Sequence, residues 1–162
     1  MVINVINGKT SISVVNQLLV DIFNDILTIE QTALQSGALN DISVTEIHTI
    51  EAVGMYVPRS MSGIAYDLNI TVGTLTTAIN NLVKKGYVER SRIEEDRRVV
   101  LINLTRKGKL AYRVHRKFHS DMVKETIEGL DPEEEKILIK ALDKLNHFFK
   151  DKYKLKNGIK KE

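Results

Sequence analysis

His115 and His119, in the string HRKFH, stand one helical turn apart, so a helix through them aims both imidazoles at one point. That is a usual spacing for two histidines on one metal ion such as zinc. Both lie at the edge of an apolar stripe, where polar residues hydrogen-bonding beside a groove are the plainer reading. A second constellation is RSRIEEDRRVVLINLT, residues 90–105, in which Arg90, Arg92, Arg97 and Arg98 surround Glu94, Glu95 and Asp96. The string then runs into alternating apolar residues. It is either a solvated, salt-bridged turn or a basic hairpin shaped for a polyanion. A third, TLTTAINN at 74–81, gathers threonine and asparagine where stronger helix formers would be expected.

Catalytic chemistry finds less to work with. The glycines are isolated rather than grouped into a phosphate-cradling loop, no serine occupies an elbow motif, and no nucleophile sits beside a base. The absence of cysteine excludes disulfides, thiolate metal sites and cysteine-based redox sensing. The chain is not read as an enzyme.

Charge separates along the 162 residues. Residues 1–70 carry 2 basic and 7 acidic side chains, residues 71–116 carry 11 and 4, and residues 117–162 carry 11 and 10. The excess of positive charge therefore sits in the middle third, with both the threonine–asparagine stretch and the arginine hairpin. Such a concentrated field favours a polyanion, because each neutralised phosphate releases condensed counterions. The N-terminal MVINVINGKTS has no basic leader region or small-residue cleavage site, and no later run is read as approaching membrane-spanning length. The expected location is the cytoplasm, with no membrane partner.

The elements that must position these residues follow from periodicity. Val15, Leu18, Leu19, Ile22, Ile26, Ile29 and Ala33 recur at helical spacing over 13–36, and Gly37 stops the helix. Ser43 and Glu46 form a capping-box pattern that opens a second helix ending near Gly54. Ser60 caps a short helix, MSGIAYDL, and Thr71 caps VGTLTTAINNLVKK, which Gly86 closes. Two helices joined by so short a turn make a helix-turn-helix, the second being the recognition helix. On a helical projection Val72, Leu75, Ile79, Leu82 and Val83 face the core. Gly73, Thr74, Thr77, Asn81 and Lys84 fall opposite, with Asn80 on the flank. Hydroxyls and amides on that outer face suit the donor and acceptor edges of bases.

After Gly86, YVERSRI and RVVLINL alternate as two strands around EEDR. A hairpin directly after a recognition helix is a wing, and its arginines would lie at a minor groove, where narrow walls concentrate negative potential. Asp96 is placed to hold Arg98 in one pose by a bidentate pair. Two long amphipathic helices follow. The first carries Leu110, Val114, Phe118 and Met122. The second starts at an Asp131 cap with Pro132 and carries Ile137, Leu138, Leu142, Leu145, Phe148 and Phe149. With 13–36 they exceed what one small core needs, and a homodimer interface is the expected use.

This order of elements, centred on GIAYDLNITVGTLTTAINNLVKKGYVERSRIEEDRRVVLINLTRKG, resembles the MarR family of transcriptional regulators over nearly the whole chain. The specific part is DRRVVLINLTRKG, similar to the family's wing Asp-x-Arg, strand and Leu-Thr-x-x-Gly helix start. The resemblance implies a mainly α winged helix-turn-helix with a two-stranded wing. It implies one MarR-like domain over 1–162, a DNA-binding core at 43–104, and dimerisation helices at 13–36 and 105–155. The implied partner is double-stranded DNA. The candidate contacts are Ser60, Thr71, Gly73, Thr74, Thr77, Asn80, Asn81, Lys84, Arg90, Arg92, Asp96, Arg97 and Arg98, with Arg98 entering the minor groove.

Within the family, EIHTIE, TVGTLTTAINNLVKKGYVER, DRRVV and HRKFH resemble the Gram-positive repressors of fatty-acid synthesis. Those use long-chain acyl-acyl carrier protein as corepressor, the acyl chain entering an apolar tunnel beside the dimer helices. The alternative also comes from the family. Its zinc-uptake repressors place a glutamate on the first helix, a histidine on the second and a histidine pair on the fifth. Glu30, His48, His115 and His119 match that layout. Such a closed four-ligand shell suits sensing better than the activation of water.

Overall fold

The computed structural model describes residues 5–6, 9–37, 39–92 and 99–154. The chain divides into two compact units, Met1–Val44 and Thr45–Glu162.

In the first unit, β1 (Val5–Ile6) and β2 (Lys9–Thr10) pair antiparallel and lead into α1 (Ser11–Ser36). The Thr10 hydroxyl accepts from the Ser13 amide, satisfying one of the donors a helix start leaves open. Of the whole 26-residue helix only Glu30 and Leu34 are buried. Val15, Leu18, Leu19, Ile22, Phe23 and Ile29 are all exposed. This corrects one expectation. By length and composition α1 could cross a bilayer, since Asp21 and Asp25 are the only charged residues from Ile12 to Ile29. An apolar helix face reserved for another protein surface passes the same test.

The second unit holds all but the first residue of α2 (Val44–Val53), then β3 (Arg59–Ser60), α3 (Met61–Asp67), α4 (Val72–Lys84), β4 (Val88–Arg92), β5 (Val100–Leu104), α5 (Arg106–Ile127) and α6 (Pro132–Tyr153). Its core is Ile47, Ile50, Ile64, Leu75, Ile79, Leu82 and Ile102, with Tyr87, all fully buried. Burying each aliphatic side chain is worth about 1.5–3 kcal/mol. The strands form one antiparallel sheet in the order β3-β5-β4. The wing thus has a third strand in addition to the expected two, and two residues are too few to show an alternation in sequence. Arg59 fastens this edge, donating to the Ala52 carbonyl at 2.7 Å and pairing with Asp67 at 2.6 Å.

Gly108 explains the Leu-Thr-x-x-Gly string. A Cβ there would lie within 3.0 Å of the Tyr87 carbonyl carbon and closer still to its oxygen. That oxygen accepts from the Thr105 amide at 3.0 Å, while the Thr105 hydroxyl caps α5 through the Gly108 amide. The start of α5 therefore lies directly on the segment that joins α4 to β4.

Several apolar positions differ from expectation. Val72 and Val83 are exposed rather than core-facing. Val72 is the first residue of α4, with no preceding turn to cover it, and Val83 lies at the margin of the buried stripe. On α5 the inner face is Gly108, Ala111 and His115, whereas Leu110 and Val114 point out. No residue of α6 is buried, and Ile137, Leu142, Phe148 and Phe149 are exposed.

Candidate nucleic-acid interface

Two hydroxyl caps set the helix-turn-helix. Ser60 accepts from the Gly63 amide to start α3, and Thr71 accepts from the Thr74 amide at 3.1 Å to start α4. Between them Asn69 adopts φ 54, the left-handed conformation that asparagine tolerates better than most residues, and so makes the sharp turn. The caps give Ser60 and Thr71 structural work beyond their candidate role. Thr71 also bonds the Thr74 hydroxyl at 2.9 Å, which fixes the first hydroxyl on the outer face.

Leu75, Ile79 and Leu82 bury the inner face of α4. Gly73, Thr74, Thr77, Asn80, Asn81 and Lys84 are exposed together, as their spacing predicts. Gly86, at φ 76, turns the chain from α4 into β4. Sheet alternation then puts Val88, Arg90 and Arg92 on the face shared with their partners Leu104, Ile102 and Val100. Arg90 therefore leans towards α4, where its Nη2 donates to Asn80 Oδ1 at 2.6 Å. Glu89, Ser91 and Asn103 take the other face, on which Asn103 Nδ2 donates to Ser91 Oγ at 3.2 Å. Arg92 is exposed. Asp96, Arg97 and Arg98 lie outside the described residues.

The remaining candidates separate by unit. Glu30 belongs to the first, where it is buried. In the second, the ligand nitrogens of His48, His115 and His119 lie within 4.8 Å of one another. His115 Nε2 and His119 Nε2 are 3.2 Å apart, a hydrogen bond between rings when one is protonated there. The same separation is near the ~3.3 Å between two nitrogens sharing a tetrahedral zinc at about 2.0–2.1 Å, so the pair's geometry also fits such an ion.

The sequence reading missed Glu51. Its carboxylate meets His115 Nδ1 at 3.3 Å, close enough for attraction though long for a hydrogen bond. Burial alone would raise the Glu51 pKa. The contact with His115 and the charges of His115, His119 and His48 outweigh that and hold it below the ordinary 4.5. One signal was available: EIHTIE sets Glu51 three residues after His48, one turn along the same helix. Lys107 was also missed. It lies over the Tyr87 ring at 4.0 Å and donates to the Lys85 carbonyl at the end of α4.

Helix-turn-helix, sheet hairpin and flanking long helices define a winged helix-turn-helix protein. The MarR family pattern matches residues 42–100. FabT of Streptococcus pneumoniae, solved in complex with DNA, is 42% identical, with a TM-score of 0.83 over 87% of this chain and 99% of that one. A MepR mutant of S. aureus shares the fold at TM-score 0.69 and 21% identity, over 82% of this chain and 96% of that one. Among curated proteins, the HTH-type transcriptional regulator PchR of Bacillus subtilis is 28% identical over 106 residues, 64% of this chain and 63% of its own length. The chain spans less than two thirds of the length of the first of these curated relatives, 63% of PchR and 49% of YhjH. The chain belongs to the MarR family of transcriptional regulators, and its relatives are regulators rather than enzymes.

Proposed function

We propose that this chain is a sequence-specific DNA-binding repressor acting in the cytoplasm as a homodimer. In this reading α4 reads the major groove through Thr74, Thr77, Asn80 and Asn81, and the wing arginines, Arg98 first, reach the minor groove. The observation that carries it is the exposed threonine–asparagine face of α4, held beside arginine-bearing strands. Solved complexes of relatives with DNA support it, FabT at 42% identity foremost. The helices α1, α5 and α6 form the dimer contact, so that residues 1–162 work as one MarR-like unit. Their exposed leucines, isoleucines and phenylalanines are surface that a second copy would cover.

The effector proposed is long-chain acyl-acyl carrier protein, acting as corepressor on fatty-acid synthesis genes. It rests on the resemblance to the fatty-acid repressors and on the likeness to FabT. The test is fluorescence anisotropy of the purified protein on the DNA upstream of its own gene, with acyl carrier protein bearing chains of increasing length. Each buried methylene contributes about 0.8 kcal/mol, so affinity should climb with chain length until the tunnel is full. Affinity indifferent to the acyl chain would end this reading. The second reading, a zinc-responsive repressor, has the geometry of His48, His115 and His119 behind it. It requires that a chelator abolish operator binding and that zinc alone restore it, with the response fading as the imidazoles protonate.

A further inference from the structure

We infer that Arg90 is a specificity-positioning residue: it holds the Asn80 amide so that the recognition helix presents hydrogen-bond donors in preference to an acceptor at that position. The inference rests on α4 being the helix that reads bases.

The chemistry follows from the inventory of the two side chains. A guanidinium has five N–H donors and no acceptor, so the group that Asn80 turns towards Arg90 must be its oxygen. The 2.6 Å contact from Arg90 Nη2 to Asn80 Oδ1 has that polarity. The Nδ2 amide, on the opposite side of the same group, is then the half of Asn80 turned away from Arg90.

A free asparagine pairs with adenine bidentately, donating to N7 while accepting from the N6 amino group. Oδ1 keeps a second lone pair, but the guanidinium 2.6 Å away fixes the amide and sets a positive charge beside that oxygen, which disfavours the approach of the N6 amino donor. What remains matches an acceptor-only edge in the major groove, which is guanine with N7 and O6 or thymine with O4. Asn80 is thereby set to choose a keto base and to reject the amino groups of adenine and cytosine. The wing strand thus edits the recognition helix. Because β4 alternates, only its residues on the Val88 face could do this, and Arg90 is the one that reaches Asn80.

The test is selection from randomised duplex DNA, followed by affinity measurements on the selected site and its single-base variants. Asn80→Ala identifies the base pair that Asn80 reads, as the position where preference collapses. Arg90→Met should then move the preference at that same pair towards adenine, by about 5- to 150-fold in relative affinity, the range of one good bidentate contact. Arg90→Lys, still a pure donor, should keep the native preference. Both residues are exposed, so the variants should fold, and thermal unfolding checks this. If Arg90→Met weakens all sites alike and lowers the salt slope by about one, Arg90 is a phosphate contact and the proposal is overturned. It is equally overturned if Asn80→Ala leaves every position unchanged. Should Thr77→Ala and Asn81→Ala also leave the selected motif intact, the fault lies with α4 as the reading helix.

Discussion

Replacing Gly108 by alanine adds one methyl group where the start of α5 lies on the segment that joins α4 to β4. The new Cβ would overlap the Tyr87 carbonyl oxygen and meet Leu104 Cβ at 3.3 Å. Tyr87 cannot yield easily, since its ring is buried and its carbonyl accepts from the Thr105 amide. Relief requires a shift of roughly 1 Å in packed backbone, for which overpacking costs about 1–3 kcal/mol. Loss of the Thr105 bond would add about 1 kcal/mol, and alanine's better helix propensity returns about the same amount. The net expectation is a loss of about 2 kcal/mol. At about 2–4 °C per kcal/mol for a chain of this size, the midpoint of thermal unfolding should fall by roughly 4–8 °C. Circular dichroism measures it directly. An unchanged or higher midpoint would refute the argument that α5 is seated on Tyr87, and with it the reason for the Leu-Thr-x-x-Gly string.

Three further outcomes are expected. Arg98→Ala should weaken operator binding and reduce its salt slope by about one counterion, whereas Asp96→Asn should do milder damage; anisotropy titrations across salt concentrations decide. Charged substitutions on the exposed apolar faces, such as Phe23→Glu with Phe148→Glu, should convert the dimer to monomer in sedimentation experiments, and an unaltered dimer would place the interface elsewhere. For Glu51, a folded pKa below the ordinary 4.5 means that its contribution is complete above that value and is lost as pH falls through the folded one. The stability advantage of the native chain over Glu51→Gln should therefore shrink as pH falls below 4.5 in denaturant titrations, and an advantage that grows on acidification would contradict the assigned interaction.

The helices were legible because each carried both periodicity and a stop signal. Thr71 and Gly86 bracket α4 as the spacing predicts, and Asp131 with Pro132 opens α6 through a capping box with Glu134. What escaped was contact between distant residues. Nothing local tells that Arg90 turns to Asn80, because that depends on the pleat of β4 meeting the flank of α4. Nor could hydrophobicity alone distinguish Leu110, exposed on α5, from Ala111 beside it in the core. A helix that serves two surfaces carries apolar residues on more of its circumference than one stripe describes. Strand β3 escaped for a different reason, since two residues have no period.

Whether the outer face of α4 reads DNA sequence is decided by comparing affinities. The native protein and the Thr77→Ala and Asn81→Ala variants would each be titrated onto the duplex upstream of the protein's own gene and onto a scrambled duplex of equal length and composition. The native protein should prefer the upstream duplex, and each variant should lose about 1–3 kcal/mol there while binding the scrambled duplex as before. Equal affinity of the native protein for both duplexes, or equal losses on both, would contradict base reading by α4.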